Sequence, residues 1–130
     1  YDMIFMAAAV ADYSPNKIIK NKIKSNKNIL NIELNKNIDI LKKIKKYKSL
    51  KVGFALETNN GEKNAKEKME SKGLDYIILN YANEKNAGFD SNTNHLYLFS
   101  KNGLSKEFAL NTKYQLSLNL IKTICNEETV

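Results

Sequence analysis

Apolar and polar positions along the chain change period several times, and each change marks an element. Asp2 to Val10 (DMIFMAAAV) is a short apolar run that ends in small residues. It reads as a strand buried on both faces, the kind found in a parallel sheet. Ala11 to Lys27 is polar, holds the sole proline (Pro15) and reads as a long loop. Ile29, Ile32 and Leu34 suggest a short strand over Asn28 to Leu34. Asn37 reads as the N-cap of a helix running to about Lys48, with Asp39 in its first turn. Ile40, Leu41, Ile44 and Tyr47 would form its apolar face. Leu50 to Leu56 predicts the next strand and Thr58 to Gly61 a turn. Glu62 to Ser71 predicts a Lys/Glu-rich helix with a thin stripe of Ala65 and Met69, closed by Gly73 as a C-cap. Asp75 to Leu79 is a further strand and Tyr81 to Asn92 an Asn-rich loop. His95 to Phe99 reads as a strand, Lys101 to Gly103 as a turn, and Glu107 to Leu110 as a return strand of a hairpin. Thr112, with Gln115 three residues on, opens the last helix as a capping box. Its apolar face is read as Tyr114, Leu118, Ile121 and Cys125, beside Leu116, Leu120 and Ile124. Strands alternating with helices imply a single α/β domain whose sheet is joined by crossover helices. Ligands in such sheets sit at the carboxyl ends of the strands. That rule selects the segment after Val10, the segment after Leu56, and Asn80.

Composition narrows the class. Hydrophobic residues make up 42% of the 130 positions, enough for one packed core. The longest apolar stretch is far short of the ~20 residues that cross a bilayer, so no membrane partner is expected. One Cys and one His exclude an internal disulfide and a structural zinc site. The net charge is +7, and all 21 basic residues are Lys. A basic balance points to a polyanion partner, while the abundance of Lys, Ile and 19 Asn also fits A/T-rich codons. The absence of Arg argues against nucleic acid, because Arg makes the bidentate contacts to guanine and phosphate. The chain opens on Tyr1 and runs directly into a strand, so it reads as part of something longer.

Four places carry candidate chemistry. Ala7 to Tyr13 (AAAVADY) puts small side chains at a strand end, where a ligand can approach the backbone; Asp12 then offers a carboxylate to a ribose or amino group. The alternative is that the alanines only let a helix pack. Lys20 to Lys24 is a lysine-rich loop able to close over a phosphate, or simply a solvated loop. Gly53 and Phe54 leave backbone room and an aromatic face for a nucleobase, or Phe54 is core. Lys68 and Lys72 stand one helical turn apart and make a clamp for a polyphosphate, or are surface lysines balanced by Glu67 and Glu70. Gly-rich phosphate loops, nucleophile–histidine pairs and HExxH are all missing. His95 reads as structural and Cys125 as core, so covalent catalysis is not expected.

Taken in order, AAAVADY (Ala7–Tyr13), KIK (Lys22–Lys24), NIDIL (Asn37–Leu41), GFALET (Gly53–Thr58), KxxxKGLDYIILN (Lys68–Asn80) and GFDSNTNHLYLF (Gly88–Phe99) resemble the phosphopantothenoylcysteine synthetase family, also called phosphopantothenate–cysteine ligase. In many bacteria this is the C-terminal part of a bifunctional coenzyme A biosynthesis protein. The resemblance implies a Rossmann-like sheet with flanking helices and an antiparallel hairpin near residues 94–110. It also implies a two-step, Mg2+-assisted ligation in the cytoplasm. The carboxylate of 4'-phosphopantothenate attacks the α-phosphate of CTP and releases pyrophosphate, and the amine of cysteine then displaces CMP from the acyl-cytidylate to form an amide. By the same resemblance Met6, Ala7 and Ala8 line the nucleotide site through their backbone and Asp12 contacts CTP. Lys22 is the catalytic flexible-loop lysine. Asn35, Lys36, Asn37 and Ile38 contact the nucleotide, Phe54 flanks cytosine, and Lys68 and Lys72 hold phosphates. A homodimer is implied, and FMN only if a flavin decarboxylase domain precedes this chain.

This sequence departs from the family pattern in three ways. The last Lys of the loop motif is replaced by Ser25, and the Pro of the helix start by Ile38. The family's N-terminal half, with its glycine-rich segment, is absent, so the chain is expected to supply the CTP side with little or no ligase activity alone. Two alternatives stand beside the ligase: a nucleotide-binding remnant without catalysis, and a basic nucleic-acid-binding module, which salt would weaken steeply.

Overall fold

A computed structural model describes residues 1–24, 28–88 and 91–129. Five strands form one sheet in the order β1-β4-β5-β6-β7: β1 (Met3–Met6), β4 (Leu50–Glu57), β5 (Tyr76–Tyr81), β6 (Thr93–Ser100) and β7 (Ser105–Thr112). A two-stranded ribbon, β2 (Tyr13–Pro15) against β3 (Leu34–Lys36), stands apart from it. The helices are α1 (Ile40–Ile44), α2 (Gly61–Lys72) and α3 (Lys113–Glu128). β1, β4 and β5 are parallel, as the crossover rule predicts, while β6 and β7 are antiparallel. The predicted hairpin is therefore present, longer than the sequence suggested, and turns through Gly103 at φ +98°.

Alternation along β5 explains the layers. Tyr76 and Ile78 face one side with Val52, Leu96, Leu98 and the buried stripe of α3, Leu116, Leu120 and Ile124. Ile77 and Leu79 face the other, with Ala55, Phe99 and the α2 residues Ala65 and Met69. A strand buried on both faces needs a near-continuous apolar run, which YIIL supplies. Gly53 is small for a reason: a Cβ there would stand 2.4 Å from Leu74 Cδ1. Gly73 ends α2 in the left-handed region at φ +65°, and its N–H donates to the Glu70 carbonyl, as the C-cap reading requires.

Six expectations are corrected. The first strand stops at Met6 and is not buried on both faces, because β1 is the outermost strand of the described sheet and the chain leaves it at Ala7. Only Leu34 of the expected Asn28–Leu34 strand is in a strand, since Ile29, Leu30 and Ile32 find no surface to bury against and stay exposed. The N-cap of α1 is Asp39, whose Oδ1 accepts from the Lys42 N–H at 3.1 Å, not Asn37. That helix ends at Ile44, leaving Tyr47 exposed. On α3 the face turned to the sheet is Leu116, Leu120 and Ile124 alone. Tyr114, Leu118, Ile121 and Cys125 point outward, and Cys125 is exposed, not core. The Thr112 cap holds, with Gln115 N–H donating to Oγ1, but the Gln115 side chain turns to Asn119 rather than closing the box.

Candidate functional site

A cavity of about 890 Å³ opens at the carboxyl ends of β1, β4 and β5. Its first wall is the chain leaving β1, Met6 through Asp12. Alanine side chains leave this backbone open, and the segment is pinned from one side by Asn37. The Asn37 N–H donates to the Asp12 carbonyl at 2.8 Å, and its Nδ2 donates to the Ala11 carbonyl at 2.9 Å. Ser14 Oγ donates to Asn37 Oδ1 at 2.7 Å. Asn37 is thus a staple between the two chain segments that frame the cavity. Its place just before a helix made it read as a cap.

The second wall is the end of β4, with Phe54, Ala55 and Leu56. Phe54 lies on the α3 side of the sheet, partly buried against the core there. Its carbonyl accepts from Lys68 Nζ at 2.7 Å. One turn later on α2, Lys72 Nζ pairs with Asp39 Oδ2. That hydrogen bond holds the Asp39 carboxyl below the usual carboxylate range. Both lysines and Asp39 line the cavity. The third wall is Asn80 at the end of β5, followed by Gly88, Asn94 and Lys113. Asn94 and Lys113 come from the far side of the sheet. They reach the same rim because the β6–β7 hairpin starts and ends at the carboxyl edge, where Thr93 pairs with Thr112.

Of the residues singled out from sequence, Met6, Ala7, Ala8, Asp12, Asn37, Ile38, Phe54, Lys68 and Lys72 share this cavity. Lys22, Asn35 and Lys36 do not line it. Asn35 Nδ2 donates to Asn16 Oδ1 at 2.9 Å, Lys36 is paired with Tyr13 in the ribbon, and Lys22 is exposed. Ser25, and Phe89 and Asp90 of the Gly88–Phe99 motif, lie outside the described residues. The sequence reading missed Asp39 as a cavity residue, and also Asn94 and Lys113. The hairpin boundaries were the available signal for the last two.

The cavity is cationic on one wall and open backbone on another. Such a lining has the charge to hold phosphates and the space for a flat ring, and among the described residues it holds no nucleophile–base pair. Among the described residues its carboxylates are Asp12 and Asp39, and the second is engaged by Lys72. Among the described residues no three His, Cys, Asp or Glu side chains are placed to hold a metal ion. His95 lies on β6 with Nδ1 3.0 Å from Glu84 and Nε2 2.8 Å from Glu107, a contact that ties the loop after β5 to the hairpin. No described helix is long and apolar enough to cross a membrane.

Comparison with known proteins follows the same lines. The chain is 34% identical over 125 residues to the coenzyme A biosynthesis bifunctional protein CoaBC of Bacillus subtilis, covering 95% of this chain and 31% of that protein. It is 38% identical over 126 residues to a cysteine/cysteine sulfinic acid decarboxylase of an unidentified prokaryote, covering 95% of this chain and 35% of that one. The crystal structure of the C-terminal domain of a CoaBC protein superposes with a TM-score of 0.72 at 31% identity, covering 95% of this chain and 53% of that one. The chain therefore spans about a third of the length of the curated relatives it matches. The family model for the DNA/pantothenate metabolism flavoprotein C-terminal domain matches residues 1–127, and the chain belongs to that family.

Proposed function

We propose that this chain forms the CTP side of a phosphopantothenate–cysteine ligase acting in coenzyme A biosynthesis. The observation that carries the proposal is the convergence of Asp12, Phe54, Lys68 and Lys72 on one cavity at the carboxyl edge of the sheet. The names of the CoaBC relatives and of the solved C-terminal domain support the pathway.

On this reading, the exposed backbone of Met6 to Ala8 approaches the nucleotide, Asp12 accepts hydrogen bonds from its ribose or amino group, and Phe54 borders the base. Lys68 and Lys72 hold the phosphates. Each ammonium has three N–H donors and spends one on the fold, leaving two for phosphate oxygens. Attack by a carboxylate on the α-phosphate brings two anions together, so neutralisation and alignment are the work of the site. The carboxylate is already ionised at neutral pH and pyrophosphate leaves as the new bond to the α-phosphate forms, so acyl-cytidylate formation needs no general base. Magnesium ions would neutralise triphosphate charge, carried mainly by phosphate oxygens with Asp12 as the available cavity carboxylate. The loop holding Lys22 would close over the nucleotide from outside the cavity. The homodimer and the cytoplasmic setting belong to the same proposal. Exposed Ile18, Ile19, Ile29 and Leu30 in the segment around that loop support an assembled state that covers them.

Calorimetric titration with CTP and Mg2+ tests this. Lys68→Ala combined with Lys72→Ala is expected to weaken binding roughly a hundredfold, about 1.4 kcal/mol per lysine. Equal affinity in the two proteins removes the phosphate assignment.

A further inference from the structure

Lys68 and Lys72 do not hang free in the cavity. Lys68 is anchored on the Phe54 carbonyl at the end of β4, and Lys72 on the Asp39 carboxylate at the start of α1. The two oxygens of Asp39 divide their work: Oδ1 caps α1 through the Lys42 N–H, and Oδ2 takes the Lys72 ammonium. Both side chains of that pair are less than a third exposed, at 28% and 29%, so water screens the contact only in part. A helix cap needs only one oxygen, and Lys72, in the last turn of α2, is already favoured there by the helix dipole. Neither role explains why the second oxygen links the start of α1 to the last turn of α2 at the cavity lining.

We propose that Asp39 is a positioning residue for the anion site: it fixes the Lys72 ammonium one turn from Lys68, with two N–H donors left on each lysine. This deepens the triphosphate reading of the cavity and rests on it. A free lysine loses rotamer freedom when it engages a phosphate. Asp39 removes that freedom beforehand, and the gain in order outweighs the repulsion its own charge adds.

The test uses inorganic tripolyphosphate and, separately, CTP, titrated calorimetrically into the whole chain. The variants are Asp39→Asn, Asp39→Ser, Lys72→Met and the Asp39→Asn/Lys72→Met pair. Asn and Ser are both good N-caps, so α1 is kept, and circular dichroism checks it. Asp39→Asn is expected to weaken tripolyphosphate binding five- to tenfold, and Asp39→Ser at least as much. Adding Asp39→Asn to Lys72→Met is expected to change affinity by less than twofold, because the carboxylate acts only through that lysine. Unchanged or tighter binding by Asp39→Asn overturns the assignment and leaves Asp39 a cap or a competitor. CTP binding that depends on Lys72 but not on Asp39 sinks this inference and spares the ligase reading. Coupled tripolyphosphate binding with no preference for CTP does the reverse. A wild-type chain that binds neither sinks both.

Discussion

Asp75 shows what a buried carboxylate does at the end of the sheet remote from the cavity. It is 8% exposed and accepts from the Lys51 N–H at 2.8 Å, from Lys51 Nζ at 3.1 Å and from Lys101 Nζ at 2.6 Å. Burial alone would raise its pKa, but the hydrogen bonds from Lys101 and Lys51 outweigh it and hold the carboxyl below its ordinary value. With a folded pKa below the unfolded one, its stabilisation is present above the unfolded value of about 3.9 and is lost as pH falls through the folded value. Urea titrations are therefore expected to show stability falling steeply below pH 4 in the wild type. Asp75→Ala should cost about 3–5 kcal/mol at neutral pH, since it removes the counter-charge of the buried Lys51 ammonium and leaves it only the Tyr47 and Ser49 carbonyls, and should flatten the acid dependence. A loss under about 1 kcal/mol would place the hub among the surface pairs.

Elements differ in how openly the sequence announces them. YIIL of β5, LKVGFAL of β4 and the Lys-Asn-Gly turn are visible because burial on two faces and positive φ each demand particular residues. α3 is harder, since seven apolar residues cover well over half of its circumference and period alone does not choose the inner stripe. The choice is made by the sheet: Leu116, Leu120 and Ile124 meet Val52, Ile78 and Leu98, while Ile121 is 47% exposed. Leu120→Ala is accordingly expected to destabilise by about 2–5 kcal/mol, and Ile121→Ala by less than about 1 kcal/mol. Chemical denaturation of both variants checks it, and a reversed order would mean that α3 is rotated. The ribbon of β2 and β3 was barely legible, the expected Asn28–Leu34 strand meeting β3 only at Leu34. Its hydrophobic positions do not face a core, so no period distinguishes it from the loop around it.

Across the whole molecule, the carboxyl edge of the sheet carries the cavity and the amino edge carries the ion-paired hub. The candidate site and the buried ion pairs thus lie at opposite ends of the sheet, with the cavity at the end where open α/β sheets bind ligands. The net charge of +7 points towards a polyanion without saying where on the molecule it would sit. Among the described residues three lysines reach the cavity, one of them, Lys113, through a hairpin whose ends the sequence left short. Asp12, Phe54 and Lys68 were readable because strand ends and helix spacing place them. Asn37 was singled out by resemblance, but its stapling contacts and the hold of Asp39 on Lys72 were not readable, because both join the segment before α1 to residues distant in the chain. The central claim is that a cytidine triphosphate occupies the rim where β1, β4 and β5 end. Two-dimensional NMR of the 15N-labelled chain during addition of CTP with Mg2+ tests it most directly. The account predicts shifts concentrated at Ala7 to Asp12, Phe54 to Leu56 and Asn37 to Asp39, with Lys51, Asp75 and Lys101 unmoved. Shifts clustered at that opposite edge, or none at saturating nucleotide, would contradict it.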